Sequence, residues 1–246
     1  MTNPLTQTPS AEKTVGELVA ADYRLATVFN KYGIDFCCGG SKPAGQACAE
    51  HGVDLETVLQ EAAQVTETPG INEQYDQWAL DFLADYIVNQ FHVYTKGKLP
   101  ELSEYVETVA AVHGEAHPET NVIAALWPNV KGELAMHMQK EELLLFPYIK
   151  RLVQHPAGNG TLPAPPFGSA RQLIEAMEAE HDATGHALEQ IEKLSDGYTP
   201  PADACHTYRT LYAQLSEFTE ATKKHIHLEN NILFPKAIKL EEELRG

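Results

Sequence analysis

The sequence predicts an all-α protein: an antiparallel four-helix bundle preceded by a small helical N-terminal domain. Two observations carry this. Strand-type alternation is nearly absent, and apolar residues recur at helical spacing throughout. Gly- and Pro-rich clusters cut that periodic chain into a short module and four long segments. With 246 residues and 43% hydrophobic content, the chain has ample material for a core of this kind.

From the N-terminus, "MTNPLTQTPS" has neither a basic start nor an apolar run, so it does not read as a secretory signal. Thr14 and Glu17 have capping-box spacing. They open an amphipathic helix expected to run to Gly33. "DFCCGGSKPAG" then reads as a loop, and short helices follow at 43–50 and after Asp54. "TETPGIN" at 66–72 reads as a linker, so residues 1–70 form the N-terminal domain and 71–246 the bundle.

The first bundle segment covers about 74–113, with a bend expected near Pro100, and the second about 119–153. "HPAGNGTLPAPPFG" at 155–168 is a loop no helix could cross. The third segment covers about 169–195, with Ser169 as its cap. Its seam is the clearest: Ile174, Met177, His181, Leu188 and Ile191 recur at steps of three, four or, as their sum, seven residues. "SDGYTPP" turns the chain into the fourth segment, about 201–243. Short-range connections between such segments give antiparallel neighbours.

Charge narrows the function. The formal net charge is −17, from 35 acidic and 18 basic residues, which argues against nucleic acid or anionic membrane as partners. No stretch approaches the roughly 18 apolar residues of a membrane span. The expected location is the cytoplasm. Four cysteines are too few for a disulfide scaffold and lack zinc-ribbon spacing.

The histidines are more informative. His137 and Glu141 lie four residues apart on the apolar face of segment two, in "HMQKEELLLFP". His225 and Glu229 repeat the spacing in segment four, in "HIHLENNILFP". Segments one and three each carry one seam histidine, His92 and His181. His92 and His181 are 89 residues apart, and His137 and His225 are 88 apart, so the bundle reads as a duplicated helix pair. A single histidine on an apolar face is ordinarily a hydrogen-bonded core residue, and one HxxxE is often a surface pair. The duplication removes that explanation. Folding the repeat on itself would bring four imidazoles and two carboxylates to one level of the core.

Buried ionised carboxylates are costly unless paired or coordinated. No Lys or Arg stands at the matching seam positions, whereas a pair of cations would neutralise both. Nitrogen and oxygen donors without sulfur suit iron, manganese or a non-structural zinc. The Leu143–Phe146 run is expected to form a dry floor beneath the site. His113 lies 21 residues after His92, about 30 Å along a continuous helix, and cannot join it. His186, five residues after His181, points about 140° away, and His227 is expected at the surface. Glu180 could reach the ligands from behind.

The set "YGIDFCCGG", "FHVY", "VHGEAHP", "HMQKEELLLFP", "EHDATGH" and "HIHLENNILFP" samples nearly the whole chain in order. Its bundle resembles the hemerythrin-like domain, which houses a non-haem di-iron centre. The whole chain more closely resembles the iron–sulfur cluster repair family, the di-iron "repair of iron centres" proteins. The resemblance implies two iron ions per chain, oxo-bridged. It implies terminal ligands at His92, His137, His181 and His225, with Glu141 and Glu229 as bridges. It also implies repair of clusters damaged by oxidative or nitrosative stress, with damaged iron–sulfur proteins as partners and NO or O2 as small ligands. The alternatives are nitric oxide binding or reduction by the same centre, and an oxygen or NO sensor or iron store. A homodimer is one expected assembly.

Cys37 and Cys38 stand apart from that set. Adjacent Cα atoms lie about 3.8 Å apart, too close for an ordinary disulfide. On a glycine loop they suit redox exchange or transient binding of a soft metal. "DFCCGG" being the hallmark of the resembled family, redox or iron transfer is the role expected of Cys37 and Cys38.

Overall fold

The computed structural model describes residues 12–68, 72–155, 162 and 165–245. The first eleven residues, positions 69–71 of the 66–72 linker and most of the 155–168 loop lie outside the described residues. Among the described residues the regular structure is helical, and the β-type pairing is a single bridge between Thr14 and Pro43. The protein is thus all-α. It divides into two compact units, one joining Met1–Leu83 with Ile226–Gly246, the other Ala84–His225.

In the first unit, helix α1 (Val15–Ala21) starts from the expected capping box. Glu17 N–H donates to Thr14 Oγ1 at 3.1 Å, and Thr14 N–H donates to Glu17 at 2.9 Å. The single helix expected to reach Gly33 is broken at Asp22. That buried residue is extended, and its carboxylate accepts from the Arg24 N–H and guanidinium, a local alternative to the helical ladder. One 3₁₀ turn, Tyr23–Leu25, leads into α2 (Ala26–Lys31). Gly33, at φ +67°, supplies the left-handed residue past its end. Helices α3 (Ala44–Glu50) and α4 (Leu55–Glu67) follow, with Asp54 capping α4 through the Thr57 N–H. Val15, Leu18, Phe29, Phe36 and Val58 form the core here, and Ile226 of the C-terminal segment joins them.

The bundle begins with α5 (Leu80–Ile87), which passes through a π turn at Val88–His92 into α6 (Val93–His113). α6 runs through Pro100 without interruption. Helix α7 (Glu119–Lys140) passes through a second π turn, Glu141–Leu145, into α8 (Phe146–Gln154). Helix α9 (Ala170–Leu194) is capped by Ser169, whose hydroxyl accepts the Gln172 N–H at 3.3 Å. Helix α10 (His206–Leu228) meets a third π turn, Glu229–Leu233, and continues as α11 (Phe234–Arg245). The α9 seam is buried as its spacing predicts: Ile174, Met177, His181, Leu188 and Ile191. Leu102, Val106, Trp127, Leu188, Leu215 and Phe218 belong to one apolar cluster, each such burial contributing about 1.5–3 kcal/mol. That cluster fixes the rotation of the helices, and so the direction of the seam histidines.

Candidate metal centre

The π turns mark where the bundle departs from regular geometry. His92 closes the first, Glu141 opens the second and Glu229 opens the third. One extra residue per turn shifts the register of whatever follows, and such turns gather at functional positions. The Leu143–Phe146 run lies at the end of the second turn. Leu145 and Phe146 are buried at 0% and 2%, but Leu143 and Leu144 are 65% and 39% exposed. The floor expected from four residues is made by two.

Within the bundle unit, five of the six expected ligands converge. His92, Glu141, His137, His181 and His225 are all buried. His92 Nε2 lies 3.1 Å from His225 Nε2, and His137 Nε2 lies 2.9 Å from His181 Nε2. Between the two pairs sits one oxygen. Glu141 Oε2 is 3.3 Å from His92 Nε2 and 3.3 Å from His137 Nε2. Ligand atoms of His92, Glu141 and His225 lie within 4.8 Å of one another, as do those of His137, Glu141 and His181. Glu229, the sixth, belongs to the other compact unit; it is buried and stands one helical turn after His225 on the same continuous helix.

The far side of two imidazoles explains why these atoms need a cation. His92 Nδ1 lies 2.7 Å from Glu142, and His137 Nδ1 lies 3.0 Å from Glu180. Each carboxylate is also paired with a lysine: Glu142 with Lys96 at 2.6 Å, and Glu180 with Lys140. Burial pushes Glu142 and Glu180 up, but the lysine and histidine donors outweigh it and hold both below the usual carboxylate value. An ionised carboxylate can only accept, so Nδ1 of each ring donates. When such a ring is neutral, its Nε2 lone pair faces Glu141 Oε2, itself an acceptor. A shared cation converts that repulsion into coordination. Donors bound at roughly 2.0–2.2 Å to one ion stand about 3 Å apart, the spacing seen here. The chain's own residues therefore fit metal cations with mixed nitrogen and oxygen donors. Sequence reasoning weighed Glu180 but missed Glu142, Lys96 and Lys140, which sit on outward faces where a charged residue is unremarkable.

Other histidines fall elsewhere. His113, at the end of α6, has Nε2 3.2 Å from Cys205 Sγ. His186 is exposed, with Nδ1 2.6 Å from the Asp182 carbonyl. His227, expected at the surface, is 0% exposed. It is enclosed within the first unit by Tyr23 and Phe36, with Nδ1 3.3 Å from the Phe36 carbonyl. Its helical face is covered by a part of the chain nearly 200 residues away in sequence, which periodicity could not anticipate.

Cys37 and Cys38 lie in the first unit, both as free thiols, with Sγ atoms 4.0 Å apart. Their loop is held closely. The Asp35 carboxylate accepts the backbone N–H groups of Cys37, Cys38 and Gly39 at 2.8, 3.1 and 2.8 Å. The Asn231 amide donates to the Phe36 and Cys37 carbonyls at 3.2 and 3.1 Å. Gly40 is needed for space: a Cβ there would lie 2.4 Å from Asn231 Oδ1. The hydrogen bond with Cys38, then burial, then the nearby Asp35 carboxylate push the Cys37 thiol well above its ordinary range.

Comparison with known proteins covers both units. Residues 11–82 match a domain of unknown function, DUF542, and residues 83–237 match the hemerythrin HHE cation binding domain. The chain is 37% identical over 230 residues to the iron-sulfur cluster repair protein YtfE of Musicola paradisiaca (strain Ech703). That match spans 94% of this chain and 98% of the relative. It is 35% identical over 229 residues to the protein of the same name from Yersinia pestis (strain Pestoides F), spanning 93% and 98%. The Yersinia pseudotuberculosis serotype IB (strain PB1/+) protein matches to the same extent.

Proposed function

The chain belongs to the iron–sulfur cluster repair family, and from that premise we propose that it restores damaged clusters by supplying iron held between its bundle helices. The observation that carries this reading is the position of Glu141 Oε2, 3.3 Å from a histidine nitrogen on each side. One carboxylate facing two histidine pairs is the arrangement for two cations, and the bundle matches a cation-binding domain.

In the proposed site, His92 and His225 hold one iron, His137 and His181 the other, and Glu141 bridges them. Glu229 is the second bridging carboxylate. Its support is the repeated HxxxE spacing, its burial and the π turn it opens, each shared with Glu141. These residues would hold a non-haem pair of iron ions, the centre the resemblance implies. When bound, such a pair supplies redox-active iron with coordination positions left open by the six protein ligands. Glu142 and Glu180 orient His92 and His137, and Lys96 and Lys140 keep those carboxylates ionised. Leu145 and Phe146 exclude water from below. Cys37 and Cys38 serve transfer of iron or electrons. The partners are iron–sulfur proteins damaged by oxidative or nitrosative stress, and the proposed compartment is the cytoplasm, where four free thiols persist. The chain acts as a repair protein rather than a turnover enzyme. Among the described residues, no helix is long and apolar enough to cross a membrane.

The test is to incubate the iron-loaded protein with an enzyme whose cluster has been damaged by peroxide or nitric oxide. Recovery of activity with loaded protein, and none with metal-free protein, is expected. Equal recovery with both, or none with either, defeats the reading.

A further inference from the structure

The N-terminal unit holds a second group of metal-binding side chains. Ligand atoms of Asp35, Cys37 and Cys38 lie within 4.8 Å of one another. Cys37 is buried at 7%, Cys38 is half-buried and Asp35 is exposed, so the group opens to solvent on one side. The two sulfurs are 4.0 Å apart. Thiolates bound at roughly 2.3 Å to one tetrahedral ion stand just under 4 Å apart.

The carboxylate is aimed by the backbone. A carboxylate offers about four lone-pair sites. In Asp35, Oδ1 accepts the N–H groups of Cys37 and Cys38 and Oδ2 accepts that of Gly39. Cys37 Sγ also lies 3.1 Å from Oδ1. Three N–H donors on four lone-pair sites leave one site on Oδ2, so a cation that displaces the thiol proton would meet a carboxylate already held beside the sulfur with that site open. The loop does not need to rearrange to present the donors, because Asn231 pins the carbonyls of Phe36 and Cys37. Without a cation, two thiolates and a carboxylate this close would repel one another. With one, their three negative charges are largely neutralised.

We propose that Asp35, Cys37 and Cys38 form a three-donor site for one thiophilic divalent cation of the first transition row. Its fourth position is open to solvent or to a ligand from another protein. Binding is a proton exchange without redox change: the cation enters, two thiol protons leave to solvent, and the carboxylate adds as third ligand. Three protein donors with an open position favour exchange, whereas closed four-ligand sites favour retention. The site stands on residues of the N-terminal unit alone and does not depend on the repair reading.

Cobalt(II) tests it, because thiolate-to-cobalt charge-transfer absorption reports sulfur ligation, and the bundle donors are nitrogen and oxygen only. The full-length metal-free chain, kept reduced with a phosphine, is titrated with Co²⁺. The charge-transfer band is expected to appear and to saturate at one sulfur-bound cobalt per chain. Cys38→Ser should abolish it and Cys205→Ser should leave it intact. Asp35→Asn, which keeps an oxygen for the backbone caps, should weaken cobalt binding at least tenfold; circular dichroism verifies that the variant is folded. Absence of the band at saturation, its survival in Cys38→Ser, or unchanged affinity in folded Asp35→Asn overturns the proposal. Should Asp35→Asn unfold, Cys38→Ser alone decides. Failure of the bundle site instead appears as loss of the weaker visible bands of nitrogen- and oxygen-bound cobalt, with the sulfur band unaffected.

Discussion

The two donor groups of this chain are built in opposite ways. In the bundle, His92, His137, His181, His225 and Glu141 are buried side chains contributed by four helical segments, each at most 2% exposed. In the N-terminal unit, Asp35, Cys37 and Cys38 are consecutive or nearly so, share one turn and open to solvent. The bundle orients its rings by carboxylates that are in turn held by lysines, all through side chains. The loop orients its carboxylate by backbone N–H groups. Burial and distant supports make a site that retains metal, since a ligand cannot leave without helix movement. A short exposed turn makes a site that exchanges.

If retention comes from the buried carboxylate, Glu141→Ala should have the largest effect. Metal analysis of the purified variant should show loss of most of the iron that the unaltered protein holds. The supporting carboxylates come next. Glu142→Gln removes the charged acceptor behind His92 and should lower iron affinity about 10–100-fold, read by chelator competition. An equal loss in Lys96→Ala would place the effect in the relay rather than in His92 packing.

For the loop, Gly40→Ala asks whether the turn is rigid. Its Cβ would meet Asn231 Oδ1 at 2.4 Å, so a destabilisation of about 1–3 kcal/mol is expected in urea unfolding. A neutral result would mean that Asn231 moves freely. Thiol chemistry distinguishes the two cysteines without mutation. At about pH 8, iodoacetamide should label half-exposed Cys38 before Cys37, as mapped by peptide mass spectrometry. The Cys37 thiol is pushed upward, so its thiolate forms only at higher pH and its labelling should rise later as pH increases. The smallest effect belongs to Leu143. At 65% exposure, Leu143→Ala should change stability by no more than about 0.5 kcal/mol, whereas Leu145→Ala should cost about 2–5 kcal/mol.

The legible parts of this protein were those governed by short-range periodicity. His137 and Glu141 share a face because four residues make about one helical turn, and the same rule exposed the echo at His225 and Glu229. Thr14, Ser169 and Asp54 act as helix caps because capping involves neighbours in sequence. Asp22 shows the limit even of local reading, since a polar residue inside an amphipathic pattern stopped a helix that periodicity would have continued.

Four histidines, a paired spacing and a helical period were enough to single out side chains that the fold brings together. The rest depended on residues far apart along the chain. Glu142 reaches His92 across 50 positions, Glu180 reaches His137 across 43, and Asn231 reaches the Cys37 carbonyl across 194. His227 looked solvent-facing until Tyr23 and Phe36 covered it. The π turns at Val88–His92, Glu141–Leu145 and Glu229–Leu233 follow no residue rule that a single sequence displays. Local spacing determines which side chains share a face; only packing decides what that face meets, because the neighbours are supplied by other parts of the chain.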